Sequence, residues 1–264
     1  MPGGISFDRA ASTYDATRSL PPGVERTAAE VLARSLGDGR TLEIGVGTAR
    51  WARPLEARGV FVVGVDLSRS MLEVARAKGF GRSVLGDVRR LPFRDATFAG
   101  VLSSHVLHLV YDLPAVLGEV ARVSTGRLRS VLQFETARPD LMAAYIDLVE
   151  RTGPPGIGER DLARRLPPDL VRDVATFHLR APASAKLDAL ESRAFRDTWA
   201  TPEQRHREVI EELRAKYGGA DVLQETHLEL AEWSRDRLAT FARGWRMDRP
   251  AVGAPTRSTS ETAS

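Results

Sequence analysis

Cysteine is absent from the 264 residues, and with it go disulfides, thiolate nucleophiles and cysteine-type zinc sites. Lysine is scarce, occurring only at Lys78, Lys186 and Lys216, so arginine carries nearly all the basic charge. The 38 basic residues stand against 35 acidic ones, a net charge of +3. The two signs are interspersed, and no basic stripe with interleaved aromatics marks a nucleic-acid surface. No apolar run approaches the roughly 18 residues that a membrane span requires, and the opening residues lack the charged-then-apolar pattern of a secretory leader. Cytoplasm is the expected compartment.

What is present is a regular alternation. Residues 23–36 carry Val24, Ala28, Val31, Leu32 and Leu36 at helical spacing, an apolar face able to cover one side of a sheet. From there the pattern predicts strand 40–44, helix 48–58 with its regular part delayed by Pro54, strand 60–65, helix 68–78, strand 82–86, strand 98–103, helix 112–123 capped by Asp112, and strand 127–134. Strands alternating with helices in this way predict an α/β fold, a Rossmann-like, doubly wound and mostly parallel sheet. Beyond residue 136 the rhythm changes. Helix 138–152, a break at Gly153-Pro154-Pro155-Gly156, a short helix at 158–165, a strand at 171–180 and helices at 184–197 and 202–217 are expected, and residues 225–234 alternate like a strand, with a helix as the rival. The Pro- and Ser-rich end, 250–264, reads as a disordered tail. The expected organisation is one domain over 1–249: N-terminal helices to residue 36, a core over 40–134, and a substrate-choosing part within 138–217.

Three candidate ligand positions fall at the ends of consecutive strands, where open α/β sheets bind ligands. Gly45 and Gly47 permit a close backbone approach after the first strand. Asp66, 21 residues past Gly45, offers two acceptor oxygens and no donor, which suits the two hydroxyls of a ribose. Asp87, at the end of the third strand, can accept from an exocyclic adenine amine. One adenosine satisfies all three. A dinucleotide fingerprint needs a third glycine, but Arg50 stands there. Glu43, two residues before the first glycine, would repel a pyrophosphate and favour a cationic group such as an amine or sulfonium.

The run Glu43-x-Gly45-x-Gly47, then Asp66, then Gly86-Asp87-Val88 with Leu91-Pro92-Phe93, then Phe98 to His108, resembles the class I S-adenosylmethionine-dependent methyltransferases, closest to their small-molecule and quinone-type branch. The lead-in Phe7-Asp8-x-x-Ala-x-x-x-Tyr14-Asp15-x-x-Arg18 is similar to that branch's own, and the likeness covers roughly residues 7–134. The resemblance implies a seven-stranded sheet with an antiparallel last strand and helical lid insertions, with S-adenosyl-L-methionine as cofactor. By it Glu43, Gly45 and Gly47 line the methionine moiety, Asp66 holds the ribose, and Asp87 with the Val88 backbone holds the adenine. Leu67 and Met71 pack on the adenosine, Tyr14 and Arg18 close over the methionine end, and Ser103 joins the cofactor-binding set. Ala49 stands where a third glycine is common, tolerable if that residue is already helical. Ala99 stands where many relatives have Asp.

His105 and His108 lie just past the fourth strand, facing the position of the transferred methyl, and are the candidate catalytic bases. Methyl transfer to a good nucleophile requires chiefly alignment, so a structural or substrate-shaping role is the alternative. The pair has no third ligand at useful spacing for a metal. Met142, Tyr145, Phe195 and Trp199 could form a lid or be core, and Arg193 and Arg196 face an acidic substrate or solvent. The expected function is methyl transfer to an O, N or C atom of a small-molecule acceptor by a monomer or homodimer without a nucleic-acid partner. The rivals are an RNA or protein methyltransferase, against which the missing Asn-Pro-Pro-Tyr-type motif counts, and a non-catalytic module that binds the cofactor.

Overall fold

The structure, a computed structural model, describes residues 6–149 and 163–244. The expected break at 153–156, most of the short helix at 158–165 and the tail at 250–264 lie outside the described residues. The N-terminal segment opens with a 3-10 turn, Asp8–Ala10, and the short helix α1, Tyr14–Arg18; α2 follows over Pro22–Leu36. The alternating region comprises β1 Arg40–Ile44, α3 Ala52–Glu56, β2 Phe61–Asp66, α4 Arg69–Ala77, β3 Ser83–Leu85, β4 Gly100–Ser104, α5 Leu113–Val123 and β5 Leu128–Arg138. Beyond it lie α6 Leu141–Leu148, β6 Leu170–Pro182, α7 Ala183–Glu191, α8 Glu203–Tyr217, β7 Asp221–Trp233 and α9 Arg235–Gly244.

The seven strands form one sheet in the order β3-β2-β1-β4-β5-β7-β6. β1 to β5 pair in parallel, whereas β7 lies antiparallel to both β5 and β6. Residues 221–233 are therefore strand rather than helix, because their alternation has a partner on each side: Thr226, Leu228 and Leu230 are buried. β5 runs four residues past its expected end because β7 pairs with it as far as Arg138.

Two apolar layers cover the sheet. On one face Leu32 and Leu36 of α2, Leu55 of α3 and Leu72 of α4 pack with Val62, Leu102 and Leu228. On the other, Val116, Leu117 and Val120 of α5 and Leu238 of α9 pack with Leu42, Val101, Leu128 and Trp233. A third cluster binds α6, α7 and α8 together through Leu141, Tyr145, Leu187, Leu190, Val209 and Leu213. Caps fix the helix starts. The Ser68 hydroxyl accepts from the Met71 N–H at 3.2 Å, and Asp112 accepts from the Ala115 N–H at 3.1 Å. α7 ends earlier than the spacing predicts, since Arg193 takes a left-handed turn (φ 55°) before the 3-10 turn Arg196–Thr198. Among the described residues no helix is long and apolar enough to cross a membrane.

Candidate functional site

Strands β3, β2, β1 and β4 are neighbours, and their carboxyl ends open onto one cavity of about 270 Å³. The chain direction out of the sheet reverses between β1 and β4, so this is the switch-point crevice of a doubly wound fold. The cavity is lined by Gly45 and Gly47 after β1, by Asp66, Leu67 and Met71 at the end of β2 and start of α4, and by Asp87, Val88 and Arg89 after β3. Ser104 at the end of β4 and His105, Val106 and His108 after it also line it.

Gly45 shows why the turn needs glycine. Its φ is 65°, and an added Cβ would lie 2.1 Å from Val106 Cγ2, so the backbone of the β1 turn touches the β4 end with no room for a side chain. Ala49, on the same turn, has φ 61° and is buried. The expectation that this residue is already helical is thus corrected: it sits in the left-handed region, and regular helix begins only at Ala52. Trp51 Nε1 donates to Ser104 Oγ at 3.0 Å, tying the turn to the end of β4.

Asp66 organises the centre. One carboxylate oxygen accepts the Gly47 N–H at 2.8 Å and the other accepts the Ser68 N–H at 2.8 Å. A carboxylate has about four acceptor positions, so these backbone bonds leave Asp66, which lines the cavity, with acceptor capacity to spare. Burial pushes its pKa up against the pull of those N–H groups. Glu43 is buried beneath the turn and is not among the lining residues. Burial first, and then the Asp66 charge, push its pKa well above the usual carboxylate range, opposed by the Ala52 N–H. Its Oε2 has no hydrogen-bond partner. The expected repulsion of a pyrophosphate by an exposed Glu43 charge is therefore weakened. Ser103, equally expected at the site, is buried in β4 with an unpartnered Oγ and does not line the cavity.

Asp87 is engaged by its neighbour: Arg89 Nε lies 3.0 Å from both carboxylate oxygens and Nη2 lies 2.5 Å from Oδ2. The Arg89 hydrogen bonds hold the Asp87 carboxyl below its usual value. The His105 and His108 rings face edge to plane with centroids 6.3 Å apart, and His105 has φ 56°, a left-handed conformation held at the strand end.

The N-terminal segment closes one side. Asp8 accepts from Ser68 Oγ at 2.6 Å and from the Ser70 N–H at 3.0 Å, and the Ser68 hydroxyl chiefly keeps its pKa far below the usual range. Asp15 accepts from Thr48 Oγ1 at 2.6 Å and pairs with Lys78 at 2.5 Å. These bonds bring Phe7, Tyr14 and Arg18 to the cavity wall, where burial raises the Tyr14 pKa. Phe7 packs edge-on to Trp199 at 5.1 Å, and Arg18 lies 4.9 Å over Phe195, which docks the segment on the 195–199 turn.

The four suggested lid residues divide differently. Tyr145 and Phe195 are core of the helical cluster and Met142 packs against it, while Trp199 meets Phe7; none of the four lines the cavity. Arg193 is occupied by the Thr198 carbonyl and Glu203, whereas Arg196 and Asp197 do line it. Phe7, Arg89, Tyr111 and Asp197 were not singled out as site residues by sequence. Only Phe7, inside the lead-in motif, carried a usable signal.

Residues 42–127 match the family model described as a methyltransferase domain. A malonyl-acyl-carrier-protein O-methyltransferase of Serratia marcescens is 35% identical over 132 residues, 50% of this chain and 51% of that protein. A demethylmenaquinone methyltransferase of Mycobacterium sp. (strain KMS) is 38% identical over 136 residues, 49% of this chain and 58% of that one. The matched stretches thus span little more than half of these curated relatives. A proposed type II methyltransferase from Anaeromyxobacter dehalogenans shares the fold with a TM-score of 0.52 at 19% identity, over 80% of this chain and 96% of that one.

Proposed function

We propose that this chain, whose residues 42–127 belong to the methyltransferase domain family, is a class I S-adenosylmethionine-dependent methyltransferase acting on a small-molecule acceptor. The observation that carries the reading is the convergence of four adjacent strand ends, bearing Gly45, Asp66, Asp87 and His105, on one cavity. The residues present fit the cofactor. A cradle that a Cβ would fill lies at Gly45, and an acid with spare acceptor capacity lies beside it.

In this reading the Gly45 and Gly47 backbone receives the methionine moiety, with Glu43 and Ser103 supporting the turn and strand from below. Asp66 takes the ribose hydroxyls, Asp87 and the Val88 backbone take the adenine, and Leu67 and Met71 pack on its faces. Tyr14 and Arg18 close over the methionine end. When bound, S-adenosylmethionine supplies an electrophilic methyl on a sulfonium. The chain's own contribution is alignment and water exclusion, by the docked N-terminal segment and the 195–199 turn. His105 or His108 receives the proton of an O–H or N–H acceptor at an imidazole nitrogen. Arg196, Asp197 and Tyr111 border the acceptor side. One domain over 1–249, cytoplasmic action, no nucleic-acid partner and a monomeric or homodimeric state belong to the same reading, supported by the cysteine-free, charge-interspersed sequence.

The test is turnover. S-adenosylhomocysteine release is followed with a panel of small acceptors, malonyl-acyl-carrier protein and demethylmenaquinone first, alongside structured RNA. Release with a small acceptor, slowed at least tenfold by Asp66→Ala, is expected. Release with RNA alone would contradict the acceptor class.

A further inference from the structure

Away from that cavity, β6 and β7 carry a polar ladder on one face. Alternate residues of a strand share a face, and on β7 this face reads Trp233, Ala231, Glu229, His227, Glu225. Trp233 and Ala231 are buried under α5 and α9. From Glu229 outward the same face borders a second cavity, whose wall includes Phe134, Arg164, Glu225, His227 and Glu229. The register sets Asp173 opposite Glu229 and Thr176 opposite His227.

In a regular strand Asp173 and Thr176, three residues apart, would face opposite sides. A bulge between Asp173 and Ala175 shifts the pairing by one residue and turns both toward His227. Thr176 Oγ1 then lies 2.7 Å from His227 Nδ1. Asp173 Oδ1 lies 3.2 Å and Glu229 Oε1 3.3 Å from His227 Nε2. The ligand-capable atoms of Asp173, His227 and Glu229 all fall within 4.8 Å of one another.

Like charges directly opposite on paired strands repel, so a cation between Asp173 and Glu229 relieves that repulsion. With Nδ1 paired to the Thr176 hydroxyl, Nε2 is the ring nitrogen that faces the two carboxylates, the orienting arrangement that metal-binding histidines use. We propose that Asp173, His227 and Glu229 bind one divalent transition-metal ion, with Thr176 orienting the imidazole. One imidazole nitrogen with two carboxylate oxygens suits Zn²⁺ or Mn²⁺, and the nitrogen ligand disfavours Mg²⁺. The ion clamps the edge strand β6 to β7 at its bulge and keeps open positions toward the second cavity. On the next rung His178 lies 3.5 Å from Glu225, a further carboxylate on the same face. The ligands escape a sequence search because Asp173 and His227 lie far apart in the chain and only the bulge and register join them.

The experiment is calorimetric titration of the untagged full chain, stripped with chelator, with ZnCl₂ and with CoCl₂, whose visible d–d bands report the ligand set. One saturable site is expected. It should weaken at least tenfold in His227→Ala and in the Asp173→Asn/Glu229→Gln double variant, and roughly tenfold in Thr176→Val. It should persist in His105→Ala, and circular dichroism verifies that each variant is folded. If His227→Ala does not fold, the double variant decides. Absence of saturable binding below millimolar metal overturns the proposal. Binding unchanged in His227→Ala, or in the double variant, overturns it equally.

Discussion

Gly45 and Gly47 share a left-handed backbone but not their surroundings. A Cβ at Gly45 collides with Val106, whereas at Gly47 the nearest atom is the Gly45 carbonyl oxygen at 4.0 Å. Gly47→Ala should therefore lose only the conformational term, about 1–2 kcal/mol. Gly45→Ala should lose that and an overpacking term of about 1–3 kcal/mol, together with cofactor binding; urea denaturation of the two variants checks the order. Glu43 and Asp66 bear on pH. Burial raises both carboxyls, so the folded state holds their protons more tightly than the unfolded chain does. Their contribution is fully present below the ordinary carboxylate range and is lost as pH rises through the raised values. Glu43→Gln keeps the shape and removes the ionisation. Its melting temperature should fall less than that of the native chain as pH rises from the ordinary glutamate value of 4.5 through the raised one, and equal slopes would contradict the assignment. Asp66 was legible as a ribose-type acid from its position at a strand end. That Glu43 is sealed below the turn was not legible, because a residue's depth depends on what α3 lays over it.

At the scale of elements, the N-terminal segment is held chiefly by polar bonds to α4 and the β1 turn. Asp8, exposed itself, accepts from the Ser68 hydroxyl and the Ser70 N–H at the start of α4, where the helix dipole favours a carboxylate. Its pKa is lowered, so this support is fully present above the ordinary aspartate range and fades as pH falls through the lowered value. Asp8→Ala should reduce stability by about 1 kcal/mol, weaken cofactor binding and speed hydrogen exchange over residues 6–18. Unchanged exchange there would contradict the docking. The lead-in motif was legible, but its target was not. Phe7 meets Trp199 and Arg18 meets Phe195 across roughly two thirds of the chain or more, and no periodicity encodes such pairings. The same holds for the described helices within 138–217: their apolar faces were visible, yet Tyr145 and Phe195 turned inward, because α6, α7 and α8 build a core of their own.

For the whole molecule, the parallel half was readable because each strand is a short apolar run bounded by a capped helix or a glycine turn. The antiparallel half was readable as alternation without its order. That β7 inserts between β5 and β6 follows from pairing partners far apart in sequence. In the proposed function the β1–β4 crevice holds S-adenosylmethionine. Titration calorimetry of the full chain with S-adenosylhomocysteine and, separately, with NAD tests it most directly. One site for S-adenosylhomocysteine is expected, weakened at least tenfold by Asp66→Ala, with no comparable binding of NAD. NAD binding as tight or tighter, or S-adenosylhomocysteine binding indifferent to Asp66, would contradict it.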